Sequence, residues 1–109
     1  MNQPFQISPR PIYKAEKPVR DAKYLKFIRR LPCIVCFSSR RVESAHFGAH
    51  GLSQRSSDLD ALPLCRWHHQ TGPKSYHRIG ARAFIALHRL DVRKHQERLQ
   101  EFYREEIAA

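Results

Sequence analysis

Long apolar runs are absent from this 109-residue chain. No stretch approaches the ~18 consecutive apolar residues of a membrane helix, and no signal peptide opens it, so a cytoplasmic location without membrane attachment is expected. Cysteine is scarce. Cys33, Cys36 and Cys65 are the only three, too few for a closed disulfide framework, and Cys33-x-x-Cys36 with a distant third cysteine suits thiolate ligands better. Acids are also few: 10 Asp and Glu stand against 20 Lys and Arg, a formal net charge of +10. Such an excess attracts a polyanion, and nucleic acid is the commonest one inside cells. The basic residues are dispersed rather than gathered in a tail, as suits a folded face that grips phosphates. Arg40, Arg41, Arg55 and Arg66 are the candidate contacts. There is no internal repeat and no low-complexity segment.

The length fits one domain with a modest core, for which a metal staple would be a real addition. Residues 1–19 carry four of the seven prolines and no apolar period, so they read as an extended arm. Residues 20–109 then form the domain. A helix is expected from Arg20, with Tyr24, Ile28 and Leu31 on one face and Pro32 as its stop. Residues 41–47 read as a strand, 59–64 as its return, and 65–70 as a short helix ended by Thr71-Gly72-Pro73. Trp67, lying between candidate ligands, is assigned to the core, with stacking on a base as the alternative. Two C-terminal helices follow. The first, 81–90, has Phe84 and Leu87 inward; the second, 91–107, has Val92, Leu99, Phe102 and Tyr103 inward and Asp91 as its N-cap. His88 and His95 fall on these helices as structural or solvated residues.

The cysteines fall into two ligand pairs, Cys33-x-x-Cys36 and Cys65-x-x-His68. Together they supply the four soft or borderline donors that tetrahedral zinc prefers, with no cysteine left over. The pairs join the N-terminal helix region to the end of the hairpin, so zinc binding is expected to be part of folding. If His68 ligates zinc from the first turn of a helix, His69 points about 100° away around that helix and cannot serve the same metal. It faces the hairpin, where His46 ends the first strand. A strand histidine, an acid-bearing loop and a helix histidine could enclose a second metal-binding hollow.

The segments VESAHF and DLDALPLCRWHH, after an upstream CIVC, resemble the HNH endonucleases of the ββα-metal (His-Me finger) class, closest to small bacterial and phage variants with a zinc knuckle pair. The resemblance covers roughly residues 31–78. It implies an α+β fold, a small zinc-stapled ββα-metal core flanked by N-terminal and C-terminal helices. It also implies a metal-dependent DNA endonuclease in which His46 is the general base and His69 holds a catalytic divalent ion, Mg²⁺ or, given an imidazole ligand, Mn²⁺ or Ni²⁺.

The chain departs from the family pattern at two positions. Ala45 stands where many members carry a metal ligand, and Asp60 stands where they carry asparagine. Asp58, Asp60 and His77 are the candidates to replace the missing ligand, and Glu43 is a weaker one, three residues back along the strand. Contacts mostly to the phosphate backbone of DNA are expected, with little sequence preference. The alternative is a zinc-stapled nucleic-acid binding module without catalysis, which would share the charge and the four zinc donors but has no need of His46 and His69 together.

Overall fold

The computed structural model describes residues 19–48 and 56–108. The proline-bearing arm up to residue 18 and Arg55 lie outside the described residues. The order of elements is helix α1 (Ala22–Arg29), strand β1 (Val42–His46), a 3₁₀ turn (Asp58–Asp60), strand β2 (Ala61–Cys65), a π-helical turn (Trp67–Thr71), and helices α2 (Tyr76–Ile79), α3 (Ala81–His88) and α4 (Val92–Ala108). Among the described residues this is a small α+β fold of four helices on a two-stranded antiparallel sheet. No helix among the described residues is long and apolar enough to cross a membrane.

Helix α1 forms where an aspartate can cap an apolar stripe. The Asp21 carboxylate accepts from the Tyr24 backbone N–H at 3.0 Å, which satisfies one of the free donors of the first turn. Tyr24, Phe27 and Ile28 are the buried face, the i, i+3, i+4 stripe of an amphipathic helix. Phe27 fills its centre, and Leu31, just past the last turn, is only half-buried. The hairpin pairs Val42 with Cys65 and His46 with Ala61. All five residues of β2 are buried, because the sheet is covered on both sides, by α1 and α4 and by the Cys33–Cys36 turn and α3 residues. One core cluster groups Ala45, Phe47, Leu62, Leu64 and Phe84 with the knuckle cysteines. The other groups Tyr24, Phe27, Ile28 and Ala61, and Leu99 packs against both. Helix α4 is pinned to the hairpin by side-chain amides: Gln96 donates to the Asp60 carbonyl at 2.9 Å and Gln100 to that of Leu59 at 2.7 Å. Asp91 caps α4, accepting from the Lys94 N–H at 3.2 Å.

Three side chains expected in the core are outside it. Leu87 is 49% exposed and Phe102 47%. Helix α3 is too short to bury more than the Phe84 face, and α4 leans on α1 mainly through Tyr103, with Phe102 reaching Phe27 only ring-edge to ring at 5.6 Å. Trp67 is 58% exposed, because the π-helical turn gives its inward directions to His68 and His69. The short helix expected over 65–70 is this turn, widened and shifted by a residue or two. Helix α2 was not anticipated, since its four residues follow Gly-Pro and end at Gly80, whose φ of 89° suits glycine.

Candidate active site and metal centre

The Cys33–Cys36 knuckle is a backbone construction. After Pro32 the chain turns so that the Phe37 N–H donates to the Cys33 carbonyl at 2.9 Å and the Val35 N–H points at Cys33 Sγ at 3.4 Å. Cys65 ends β2, and the π-helical turn brings His68 back over it. The ligand atoms of Cys33, Cys36, Cys65 and His68 all lie within 4.8 Å of one another. Cys36 Sγ is 3.8 Å from Cys65 Sγ, and His68 Nδ1 is 3.2 Å from Cys65 Sγ and 3.9 Å from Cys33 Sγ. A tetrahedral zinc with Zn–S near 2.3 Å needs sulfur–sulfur edges of about 3.8 Å, so this donor set could hold a structural metal such as zinc.

The electrostatics agree. Burial, with the neighbouring Cys33 adding to it, pushes the Cys65 thiol up to about 11. At Cys33 burial acts the same way, but hydrogen bonds around Cys65, Cys36 and Val35 outweigh it and lower the pKa. Neighbouring sulfurs resist ionising together, and a cation among them removes that resistance.

His69 turns the opposite way from His68, as expected of adjacent residues on a helical turn, and is buried. Its Nδ1 lies 2.7 Å from Glu43 Oε1, to which Gln70 also donates at 2.7 Å. A carboxylate there fixes the Nδ1–H tautomer and leaves Nε2 with its lone pair. That Nε2 is 3.2 Å from Nε2 of His77. Two imidazole nitrogens facing each other at this distance either share a proton or take a cation between them. Burial lowers the His69 pKa, against the opposing pull of Glu43, which keeps the ring neutral, the form that binds metal. Glu43 is itself held below the usual carboxylate range, because the bonds from His69 and Gln70 outweigh its burial.

His46 closes β1, with Nε2 2.9 Å from Asp58 Oδ1. Asp58 is buried and heavily bonded: Arg20 Nη1 reaches Oδ1 at 3.1 Å and the Asp21 N–H donates to Oδ2 at 2.8 Å. These bonds outweigh burial and hold its carboxyl below the ordinary value. Asp58 therefore accepts from the Nε2–H of His46 and leaves Nδ1 as the basic nitrogen. Asp60 differs: burial raises its pKa, with His46 opposing. Its Oδ2 lies against Gly48, where a Cβ would stand only 2.8 Å away, so the chain approaches this carboxylate at a residue without a side chain.

Of the sequence-predicted site residues, His69 and His77 are together, His46 and Asp58 are together, and Asp60 lies beside the second pair. The acid bonded to His69 is Glu43, the weaker of the sequence candidates. Arg40, Arg41 and Arg66 are exposed. Tyr76 was missed. Its hydroxyl donates to the His46 carbonyl at 2.6 Å, and its ring stacks on Phe47 at 4.4 Å and lies nearly parallel to His69 at 6.1 Å. An aromatic directly before His77 was the only signal for it.

No curated protein and no solved structure matches the chain. The family model described as recombination enhancement, RecA-dependent nuclease matches residues 19–108, which takes in both clusters and every described helix and strand. The chain belongs to the recombination enhancement, RecA-dependent nuclease family, and so to a family of enzymes acting on nucleic acid.

Proposed function

We propose that this nuclease is a metal-dependent endonuclease of the HNH type that hydrolyses DNA phosphodiester bonds. The observation that carries this reading is the pair of facing Nε2 atoms of His69 and His77, backed by Glu43, near an Asp58-bonded His46. His46 takes the proton of the attacking water at Nδ1. Asp58 stabilises the imidazolium that results and keeps the ring from rotating. His69 and His77 would hold the divalent cation, Mg²⁺ or Mn²⁺, with Glu43 orienting His69 from behind. When bound, that ion supplies charge stabilisation at the scissile phosphate and the leaving 3′ oxygen. Zinc at Cys33, Cys36, Cys65 and His68 is structural: a four-donor set has no open position for substrate.

A non-catalytic binding module is the weaker reading for a chain in a nuclease family, and it leaves the His46–Asp58 pair without a task. The family description ties such nucleases to recombination and RecA, so RecA is a proposed partner. The test is cleavage of plasmid and single-stranded DNA with Mg²⁺, Mn²⁺ or neither, with and without RecA. Cleavage that requires the ion and His46 supports the assignment. No cleavage of any nucleic acid under these conditions would sink it.

A further inference from the structure

The open end of the hairpin carries a second site, away from the two histidine pairs. The Arg66 N–H donates to the Arg41 carbonyl at 2.9 Å, just outside the Val42–Cys65 pair. Arg40, Arg41 and Arg66 line an open cleft of about 380 Å³ together with Ser38, Trp67 and Thr71. Its described lining has three guanidinium groups, two hydroxyls and no carboxylate. Trp67 is more than half exposed, yet it is not loose. Gly72 lies against the middle of the indole, where a Cβ would stand 2.8 Å from Cε2 and 3.0 Å from Cδ2. The Gly72 N–H also donates to the Trp67 carbonyl at 2.9 Å. The ring is thus held by one side beside three cations, with its remaining surface in solvent.

We propose that this cleft is a nucleotide-binding subsite, in which an unpaired base stacks on Trp67 while the adjoining phosphate is held by Arg40, Arg41 and Arg66. The proposal rests on the chain being a nuclease but not on any role for His46 or His69. Guanidinium groups suit phosphate because their planar N–H pairs match its oxygens. An indole face suits any base, so the site reads exposure of the base rather than its identity. A base inside an intact duplex is stacked on both sides and cannot reach the ring. The cleft therefore favours single strands, frayed ends or displaced strands. Arg41 and His46 lie at opposite ends of β1, roughly 16 Å apart along the strand, on the order of five stacked nucleotides. Gln70, three residues beyond Trp67 in the same π-helical turn, donates to Glu43 at 2.7 Å, and Glu43 bonds His69, so the turn that carries Trp67 leads from the cleft to the His69 pair. A strand gripped at Trp67 can thus run toward the histidines.

Trp67 is the only tryptophan in the chain, so its emission reports on this cleft alone. The test titrates the zinc-loaded full-length protein, without Mg²⁺ or Mn²⁺, with oligo-dT and with a blunt duplex, and follows Trp67 fluorescence and the anisotropy of labelled oligonucleotide. Oligonucleotide integrity is checked on a gel. Stacking predicts saturable quenching by the single strand and much less by the duplex. Trp67→Ala should weaken oligo-dT binding on the order of 10-fold or more, and Trp67→Phe should retain most of it. Replacing both Arg40 and Arg41 by Gln should lower affinity and flatten its dependence on salt.

Unchanged emission at saturating oligo-dT would overturn the proposal even if every variant misfolded. Equal quenching by duplex, or a folded Trp67→Ala that binds as tightly as wild type, would overturn it as well. Failure of the HNH reading looks different: no cleavage with any divalent ion, with the Trp67 emission change intact.

Discussion

His68 and His69 are neighbours in one π-helical turn, yet they belong to clusters built on opposite plans. Around His68, four donor atoms converge on one point, all within 4.8 Å of one another. Around His69 and His46, each imidazole has an acid behind it, Glu43 in one case and Asp58 in the other, so each ring keeps one nitrogen for something else. A converging set is complete once a cation fills it, and what it gains is fold stability. A backed imidazole is oriented and left with a lone pair, which is what ligation of a reactive metal or proton transfer requires. The two regions therefore predict opposite results when a donor is removed.

The largest effect belongs to the converging cluster. Cys65→Ser should remove the metal and with it the fold, since a structural zinc contributes on the order of 10 kcal/mol and native domains are stable by only about 5–15 kcal/mol. The wild type should carry about one zinc per chain by metal analysis, and the variant should lose its cooperative thermal transition. A zinc-free wild type that folds cooperatively would erase the distinction between the clusters.

Next come the backed imidazoles. His69→Ala should stay folded and zinc-loaded while losing cleavage, and excess Mn²⁺ should restore part of it. His46→Ala should cleave ~10²–10⁴-fold more slowly with nucleic-acid affinity unchanged. If His68→Ala behaved like His69→Ala, keeping its fold and losing only activity, the contrast between converging and backed donors would be broken.

Asp58 sharpens the comparison through pH. Its folded-state pKa is depressed by the bonds from His46, the Asp21 backbone and Arg20, against the effect of burial. A depressed carboxylate stabilises the fold fully above its unfolded value, near about 3.9, and this contribution is lost as the pH falls through the folded value. Asp58→Asn should therefore flatten the acid side of the stability profile, measured as denaturant midpoints from about pH 3 to 7, and slow cleavage less than His46→Ala does. An unchanged acid slope would mean that the Arg20 and His46 contacts do not persist in solution.

How much of this was legible in the sequence follows from how local each feature is. The knuckle pairs are set by spacings of two residues between donors, so Cys33, Cys36, Cys65 and His68 could be read directly, and the structure brings their ligand atoms together. The hairpin strands came within one or two residues, because β2 is a buried run between turn signals and β1 is bounded by a bend on one side and a glycine-bearing loop on the other. The division between His68 and His69 was also readable, from helical geometry alone. Glu43 was underweighted because its bond to His69 spans 26 residues and depends on how the π-helical turn docks on β1. Trp67 was misplaced for a related reason: spacing says that ligands flank it, but only the width of the turn decides that it faces out. Leu87 and Phe102 failed because helical period finds an apolar face without saying whether anything is there to cover it.

The smallest predicted effect tests whether the histidine pairs are held by more than their acids. Tyr76 donates to the His46 carbonyl at 2.6 Å while its ring packs on Phe47 and lies over His69, so one side chain ties α2 to both imidazoles. Tyr76→Phe deletes the hydroxyl and keeps the ring, separating the bond from the packing. The lost bond should cost about 1 kcal/mol of stability, readable as a shift in the denaturant midpoint at unchanged slope. The carbonyl at the end of β1 then loses its anchor, and His46 should sample more positions. If Tyr76 positions the base, kcat should fall severalfold while KM holds, and Tyr76→Ala, which also frees His69, should fall further and need more Mn²⁺. If Tyr76→Phe loses stability but cleaves at the wild-type rate, the acids alone hold the imidazoles, and Tyr76 belongs to the core rather than to the site.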